Sequence, residues 1–192
     1  MSIIRTIALI LLPIIKIICY IFYDKKYLLG KYYDKSFIGW MWALKGILWQ
    51  KLLGYNRSIP WPVSPLVIIS NKNNIIFYSE DLHLFQPKGI YYQNFSAKII
   101  IGKGTWIAQN VGLITANHDF VNPDEHLPGK DIILGKQCWV GMNAVILPGI
   151  ILGDHTVVGA GAVVTKSFPD GYVVIAGNPA KIIRHLQNTM DK

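Results

Sequence analysis

Between Ile101 and Pro169 an aliphatic residue followed by a small one returns every six positions. The frames open at Ile101, Ile107 and Leu113, stop at Asn117-His118-Asp119, and resume in the same register at Leu134, Val140, Ile146, Leu152, Val158 and Val164. A six-residue period drifts around a helix of 3.6 residues per turn, whereas an even period keeps its residue on one face of a strand. Helix is therefore excluded over these nine frames.

Short parallel strands joined by tight corners satisfy the period. The aliphatic residue points into a narrow core, and the Gly or Ala after it passes a corner where a larger side chain would clash. Three such strands make one triangular coil, and each coil covers the next. The fold class is therefore mainly β, a parallel β-helix. A β-sandwich does not account for the pattern, because its strands alternate with period two and turn at longer spacing. Between Val67 and Ile100 the frame is irregular, as expected of the end coils of a solenoid.

The 192 residues carry a net charge of +8, which points to acidic partners such as anionic lipid or a phosphorylated cofactor. No zinc-finger, single-strand or basic-helix motif supports nucleic acid, so none is expected as a partner. Cys19 and Cys138 are the only cysteines. They do not form a disulfide framework, and Cys138 inside a frame reads as a small buried residue.

Residues 1–55 form an apolar region predicted to be helical. Ile3 to Tyr23 is interrupted by Arg5, Thr6, Pro13 and Lys16, too broken for an ordinary spanning helix. Phe37, Met41, Leu44, Leu48 and Leu52 recur at helical spacing beside Trp40, Trp42, Trp49, Lys45 and Lys51, residue types that settle at a headgroup boundary. Residues 1–53 are thus expected to make peripheral membrane contact, or else to pack on protein. Residues 56–66, with Pro60, Pro62 and Pro65, read as a linker. The β-helix is assigned to 67–179 with a loop inserted at about 118–131, and 180–192 to a short C-terminal helix or tail.

Thr115-Ala116-Asn117-His118, Trp139-Val-Gly141, Val158-Gly-Ala160-Gly-Ala-Val-Val-Thr165-Lys166 and Ala176-Gly-Asn178-Pro-Ala-Lys181-Ile-Ile-Arg184 stand in one order along the chain. In this the sequence resembles the hexapeptide-repeat O-acetyltransferases, in the branch of maltose, galactoside and xenobiotic acetyltransferases and their polysaccharide-modifying relatives. The resemblance implies a left-handed winding, a homotrimer and acetyl-CoA as co-substrate, with no metal. It makes His118 the general base on an acceptor hydroxyl, chemistry that imidazole suits near neutral pH. For the oxyanion it leaves the Gly141 N–H as first choice and Asn117 as second. Trp139, Gly141 and Ala160 correspond to positions along the pantetheine arm, and Thr165, Lys166, Lys181 and Arg184 to positions near the nucleotide end.

The acceptor implied is a sugar hydroxyl of a capsular, lipopolysaccharide or exopolysaccharide unit, or of its lipid-linked precursor. An enzyme on such a substrate is expected in the cytoplasm, at the inner face of the membrane. The partner orienting His118 stays open among Asp119, Asp124, Glu125 and a main-chain carbonyl. Acceptor contacts stay open among Glu80, Asp81, Gln93 and Asn94. Other activities borne by such repeats are serine or xenobiotic acetyl transfer, a γ-type carbonic anhydrase and a non-catalytic trimeric scaffold.

Overall fold

The computed structural model describes residues 3–187, with side chains from residue 11 onward. The chain divides into two compact units, Met1–Pro65 and Leu66–Lys192.

In the first unit α1 spans Ile3–Phe22 and α2 spans Ile38–Gly46, continued by a π-helical turn over Ile47–Leu52. Cys19, Tyr23, Trp40, Ala43 and Trp61 are buried. Burial pushes the Cys19 thiol up to about 11. Gln50, also fully buried, donates from Nε2 to the carbonyls of Ile59 at 3.0 Å and Trp61 at 2.9 Å. Its Oε1 accepts from Val63 N at 3.0 Å. One buried amide therefore ties the proline-rich segment down, because a buried amide left without partners is costly. The helical-spacing residues Met41, Leu48 and Leu52 do not supply this core and are exposed; Gly39, Trp40, Ala43 and Gly46 face inward instead. Among the described residues no helix is long and apolar enough to cross a membrane.

The second unit is a parallel β-helix of three faces. The first stacks β1 (Ile68–Ile69), β3 (Tyr91–Gln93), β6 (Gly112–Ile114), β9 (Val145–Ile146) and β12 (Val163–Val164). The second stacks β2 (Ile75–Ile76), β4 (Ile99–Ile101), β7 (Ile132–Leu134) and β10 (Ile151–Leu152). The third stacks β5 (Trp106–Ile107), β8 (Trp139–Val140), β11 (Val157–Val158) and β13 (Val173–Ala176), and ends on β14 (Lys181–His185). All nine aliphatic frame residues are buried, none more than 2% exposed. Each contributes about 1.5–3 kcal/mol of burial. In the irregular first coils, a 3₁₀ turn at Leu82–Phe85 lies beside β5 and buries Leu82, Leu84 and Phe85.

Two separate demands shape the corners. The turn itself is made three residues after the frame residue, where Gly104, Gln137 and His155 share a positive φ of 76°, 51° and 57°. The small residue directly after the frame residue answers instead to the coil above. A Cβ on Gly135 would stand 2.5 Å from Asp154 N and 2.6 Å from the Gly153 carbonyl carbon. Such contacts forbid any side chain there. Inside the same row of corners Cys138 is buried, its amide donating to Thr105 Oγ1 at 3.1 Å and its Sγ to the Gly153 carbonyl at 3.2 Å. Burial raises its thiol pKa. It is a packed corner residue.

The short C-terminal helix expected from Ala180 onward is not formed. Lys181–His185 is a strand that runs antiparallel to β13, pairing Val174 with Arg184 and Ala176 with Lys181. Two β-branched residues, Ile182 and Ile183, sit at its centre, and the free edge of the third face offers backbone partners that an isolated helix would lack. The end of the predicted segment, 188–192, lies outside the described residues.

Candidate functional site

The interruption at Asn117-His118 is a hairpin folded on its own hydrogen bonds. Lys130 N donates to the Thr115 carbonyl at 2.8 Å, Leu127 N to Asn117 at 2.9 Å and Asp119 N to Glu125 at 2.9 Å. This ladder sets His118 opposite His126 as an antiparallel pair. Their rings lie 4.2 Å apart, and Phe95 from the preceding coil meets His126 edge-on at 5.1 Å. The Asp119 carboxylate accepts from Val121 N at 2.8 Å and Asn122 N at 2.9 Å, closing the turn. Those two donors hold its carboxyl below the usual range.

Gln93 fixes the way in. Its Oε1 accepts from Thr115 N at 2.9 Å and Ala116 N at 3.0 Å, while Nε2 donates to the Ala116 carbonyl at 2.9 Å. One side chain thus holds the backbone that leads to Asn117 and His118. Asp81 and Asn94, the other interior candidates for acceptor contact, are buried and engaged within the coils. Asp81 accepts from Gly104 N at 2.7 Å, and Asn94 Oδ1 accepts from Asn71 N at 2.9 Å. Glu80 lies 3.4 Å from the Lys103 ammonium in an exposed pair.

His118 is exposed, with Nδ1 2.6 Å from the Pro123 carbonyl. A carbonyl only accepts, so Nδ1 carries the hydrogen and the neutral ring keeps its lone pair on Nε2. The orienting partner is thus the main-chain carbonyl among the candidates, while Asp119 serves the turn. Neither the His126 shelf nor the Gln93 clamp was found from the sequence. The signal for the first was present in the Asn122-Pro123 turn pair set between two histidines.

The other candidates lie elsewhere on the coil. Trp106 and Trp139 are register partners on the third face, both more than half exposed. With Pro87, Ala108, Gln109 and Met142 they line a groove of about 420 Å³. Ala160 is exposed on the same edge, and Lys181 and Arg184 are exposed on β14. The Gly141 N–H, first choice as an oxyanion donor, is committed to the Val158 carbonyl at 2.8 Å. A Cβ on Gly141 would stand 2.7 Å from Ala160 N, so its glycine is explained by coil stacking. Asn117 is half-buried, its carbonyl held by Leu127.

Thr165 and Lys166 are exposed where the chain leaves β12, the Lys166 ammonium 5.6 Å over the Phe168 ring. That is the same row of corners as His118, which follows β6 two coils earlier. The structure thus forms two groups. His118, Asn117, Thr165 and Lys166 leave the first face, whereas Trp139, Gly141, Ala160, Lys181 and Arg184 belong to the third face and its exit. The width of the first face separates them within one chain. Among the described residues no group of three or more His, Cys, Asp or Glu is placed to hold a metal ion.

Comparison with known proteins identifies the class. Residues 131–166 match the bacterial transferase hexapeptide (six repeats) family. The chain therefore carries a hexapeptide-repeat domain, and its homologues are named acetyltransferases. Galactoside O-acetyltransferase of Escherichia coli K12 is 34% identical over 124 residues, 60% of this chain and 59% of that protein. WbbJ of the same strain, provisionally named a lipopolysaccharide biosynthesis O-acetyl transferase, is 34% identical over 57% of this chain and 60% of its own. The chain spans little more than half the length of these relatives. Among solved structures, a galactoside acetyltransferase in complex with coenzyme A superposes with a TM-score of 0.56 at 29% identity, covering 68% of this chain and 64% of that one. This likeness is consistent with left-handed winding of the coil.

Proposed function

We propose that the chain transfers the acetyl group of acetyl-CoA to a sugar hydroxyl, in a capsular, lipopolysaccharide or exopolysaccharide unit or its lipid-linked precursor. The observation that carries this reading is the His118 imidazole, exposed and held through Nδ1 so that the Nε2 lone pair is left to act as a base. The names of the galactoside and lipopolysaccharide relatives support a glycan acceptor.

Acetyl-CoA supplies an acetyl group activated as a thioester. His118 Nε2 takes the proton of the acceptor hydroxyl as its oxygen bonds to the acetyl carbon, and returns that proton to the departing thiolate as the carbon–sulfur bond breaks. The Pro123 carbonyl keeps the imidazole in one tautomer. The Trp106–Trp139 groove fits a narrow, mostly apolar arm, and the exposed Lys166, Lys181 and Arg184 suit phosphate.

Because His118 and the groove leave one chain from opposite sides of the first face, a complete site pairs the His118 edge of one copy with the third face of another. We read the working form as a homotrimer on this ground. The test is release of free thiol from acetyl-CoA with a panel of sugars. Transfer is expected with wild type and a loss of about 10²–10⁴-fold with His118→Ala. A His118→Ala chain mixed with a groove-blocked Ala160→Trp chain is expected to regain transfer. Undiminished transfer by His118→Ala would end the proposal, and a failed mixture would end the shared site.

A further inference from the structure

We infer that the first unit docks on an anionic lipid surface, through the outward apolar faces of its two helices. This rests on the first unit alone and not on the acetyl-transfer reading.

The charge of the chain is gathered there. Residues 1–65 hold nine Lys and Arg against two Asp, a net +7, while residues 66–192 hold ten against nine acids, a net +1. Of the two acids, Asp34 is engaged by Gly30 N at 2.7 Å. Ordinary solubility does not require such asymmetry, since the β-helix is close to neutral.

Large aliphatic side chains stand outward among these cations. Ile14, Ile17 and Ile21 recur at three and four residues on α1 and are 55%, 63% and 72% exposed. Leu48, Trp49 and Leu52 on the π-helical turn are 49%, 43% and 61% exposed. Their neighbours Cys19, Tyr23, Trp40 and Ala43 are already buried, so the unit has its own core and these residues are left over from it. Lysine ammonium groups of the same unit lie on aromatic rings: Lys25 over Tyr20 at 5.1 Å, Lys26 over Tyr27 at 4.9 Å and Lys31 over Tyr32 at 4.9 Å. An interfacial helix has this composition, with aliphatic residues toward acyl chains and aromatic–lysine pairs at headgroup depth.

Charge selects the occupant. A second copy would bring +7 against +7, which opposes association through this surface. Nucleic acid would neutralise the lysines and leave the isoleucines and leucines in water. An anionic bilayer satisfies both.

The test is flotation of the full chain with vesicles of phosphatidylcholine alone, or with about 30 mol% phosphatidylglycerol, at low and high salt. Partition is expected to be at least about tenfold stronger on the anionic vesicles and to fall with salt. Ile17→Gln with Ile21→Gln, and separately Lys25→Gln with Lys26→Gln, are each expected to weaken it about tenfold. Both pairs are exposed, and circular dichroism checks that the fold is kept. Equal partition on neutral and anionic vesicles, or none on either, overturns the inference. So does a change in oligomeric mass in the isoleucine variant, which would make a second copy the occupant. Transfer to a soluble sugar is measured on the same preparations. If it is absent while flotation behaves as expected, the catalytic reading alone falls.

Discussion

Two corners of the β-helix make the same step in different ways. From β9 to β10 the chain leaves the first face and reaches the second in the four residues 147–150. From β6 to β7 it makes that step in the seventeen residues 115–131. Four residues suffice for the fold, so the longer corner exists for something else. It also differs in what holds it. The short corner follows buried frame residues, while the long one is a hairpin closed by its own backbone ladder and ending in Phe120 and Val121, which are 86% and 93% exposed. One corner is explained by the coil; the other carries an imidazole with a fixed tautomer.

The comparison is broken most directly at His118. His118→Ala is expected to lower kcat by about 10²–10⁴-fold while leaving the melting temperature within a degree or so, because the ring is exposed. Pro148→Ala in the short corner is expected to leave kcat unchanged. Equal losses in both would show that the long corner has no chemistry of its own. The reverse pattern is expected at Gly135, where the coil above leaves no room. Gly135→Val is expected to destabilise by about 3 kcal/mol or more, read from denaturant midpoints. Gln93 joins the two behaviours, since it belongs to a coil and holds the hairpin's first strand. Gln93→Leu leaves the Ala116 N–H and carbonyl short of partners and is expected to cost about 1–3 kcal/mol. It is also expected to lower kcat about tenfold as His118 loses its register. A kcat unaffected in folded Gln93→Leu protein would separate the clamp from the chemistry.

The coil was legible in the sequence because each of its rules acts on one residue at a fixed spacing. Burial selects the aliphatic residue, and a backbone 2.5 Å away selects the glycine after it. Even the exceptions are regular: Ile114, Leu147 and Thr165 replace the small residue, and all three stand where the chain leaves the first face. His118 was legible as the point where the period stops. Its environment was not, since the bond to Pro123, the His126 shelf and the Gln93 clamp join residues whose proximity no period encodes. The C-terminal strand escaped for a related reason. Residues 181–185 have an acceptable helical pattern alone, and only the open edge of β13 decides for strand. The outward apolar faces of the first unit were read from spacing as a stripe, but spacing does not say which stripe is inside. On α2 the smaller residues Gly39, Ala43 and Gly46 went in with Trp40.

The smallest expected effect tests whether the hairpin's order is independent of the coil. Asp119 accepts two backbone N–H bonds that favour its charged form, so its carboxyl titrates below the unfolded value of about 3.9. A group depressed in the folded state contributes above the unfolded value and loses its contribution as pH falls through the folded one. Between pH 7 and pH 5 the turn should therefore not change. Below about pH 4 the Val121 and Asn122 amides should begin to exchange faster while amides of β9 and β10 stay protected. Asp119→Asn keeps an acceptor oxygen and is expected to hold the turn without the acid response, whereas Asp119→Ala loses the turn at every pH. Because the hairpin tip, with Phe120 and Val121 exposed, lies outside the core, both variants should keep the wild-type melting temperature. Loss of protection in β9 and β10 together with the turn would show instead that the long corner and the coil unfold as one unit, and the distinction between the two corners would then be one of length alone.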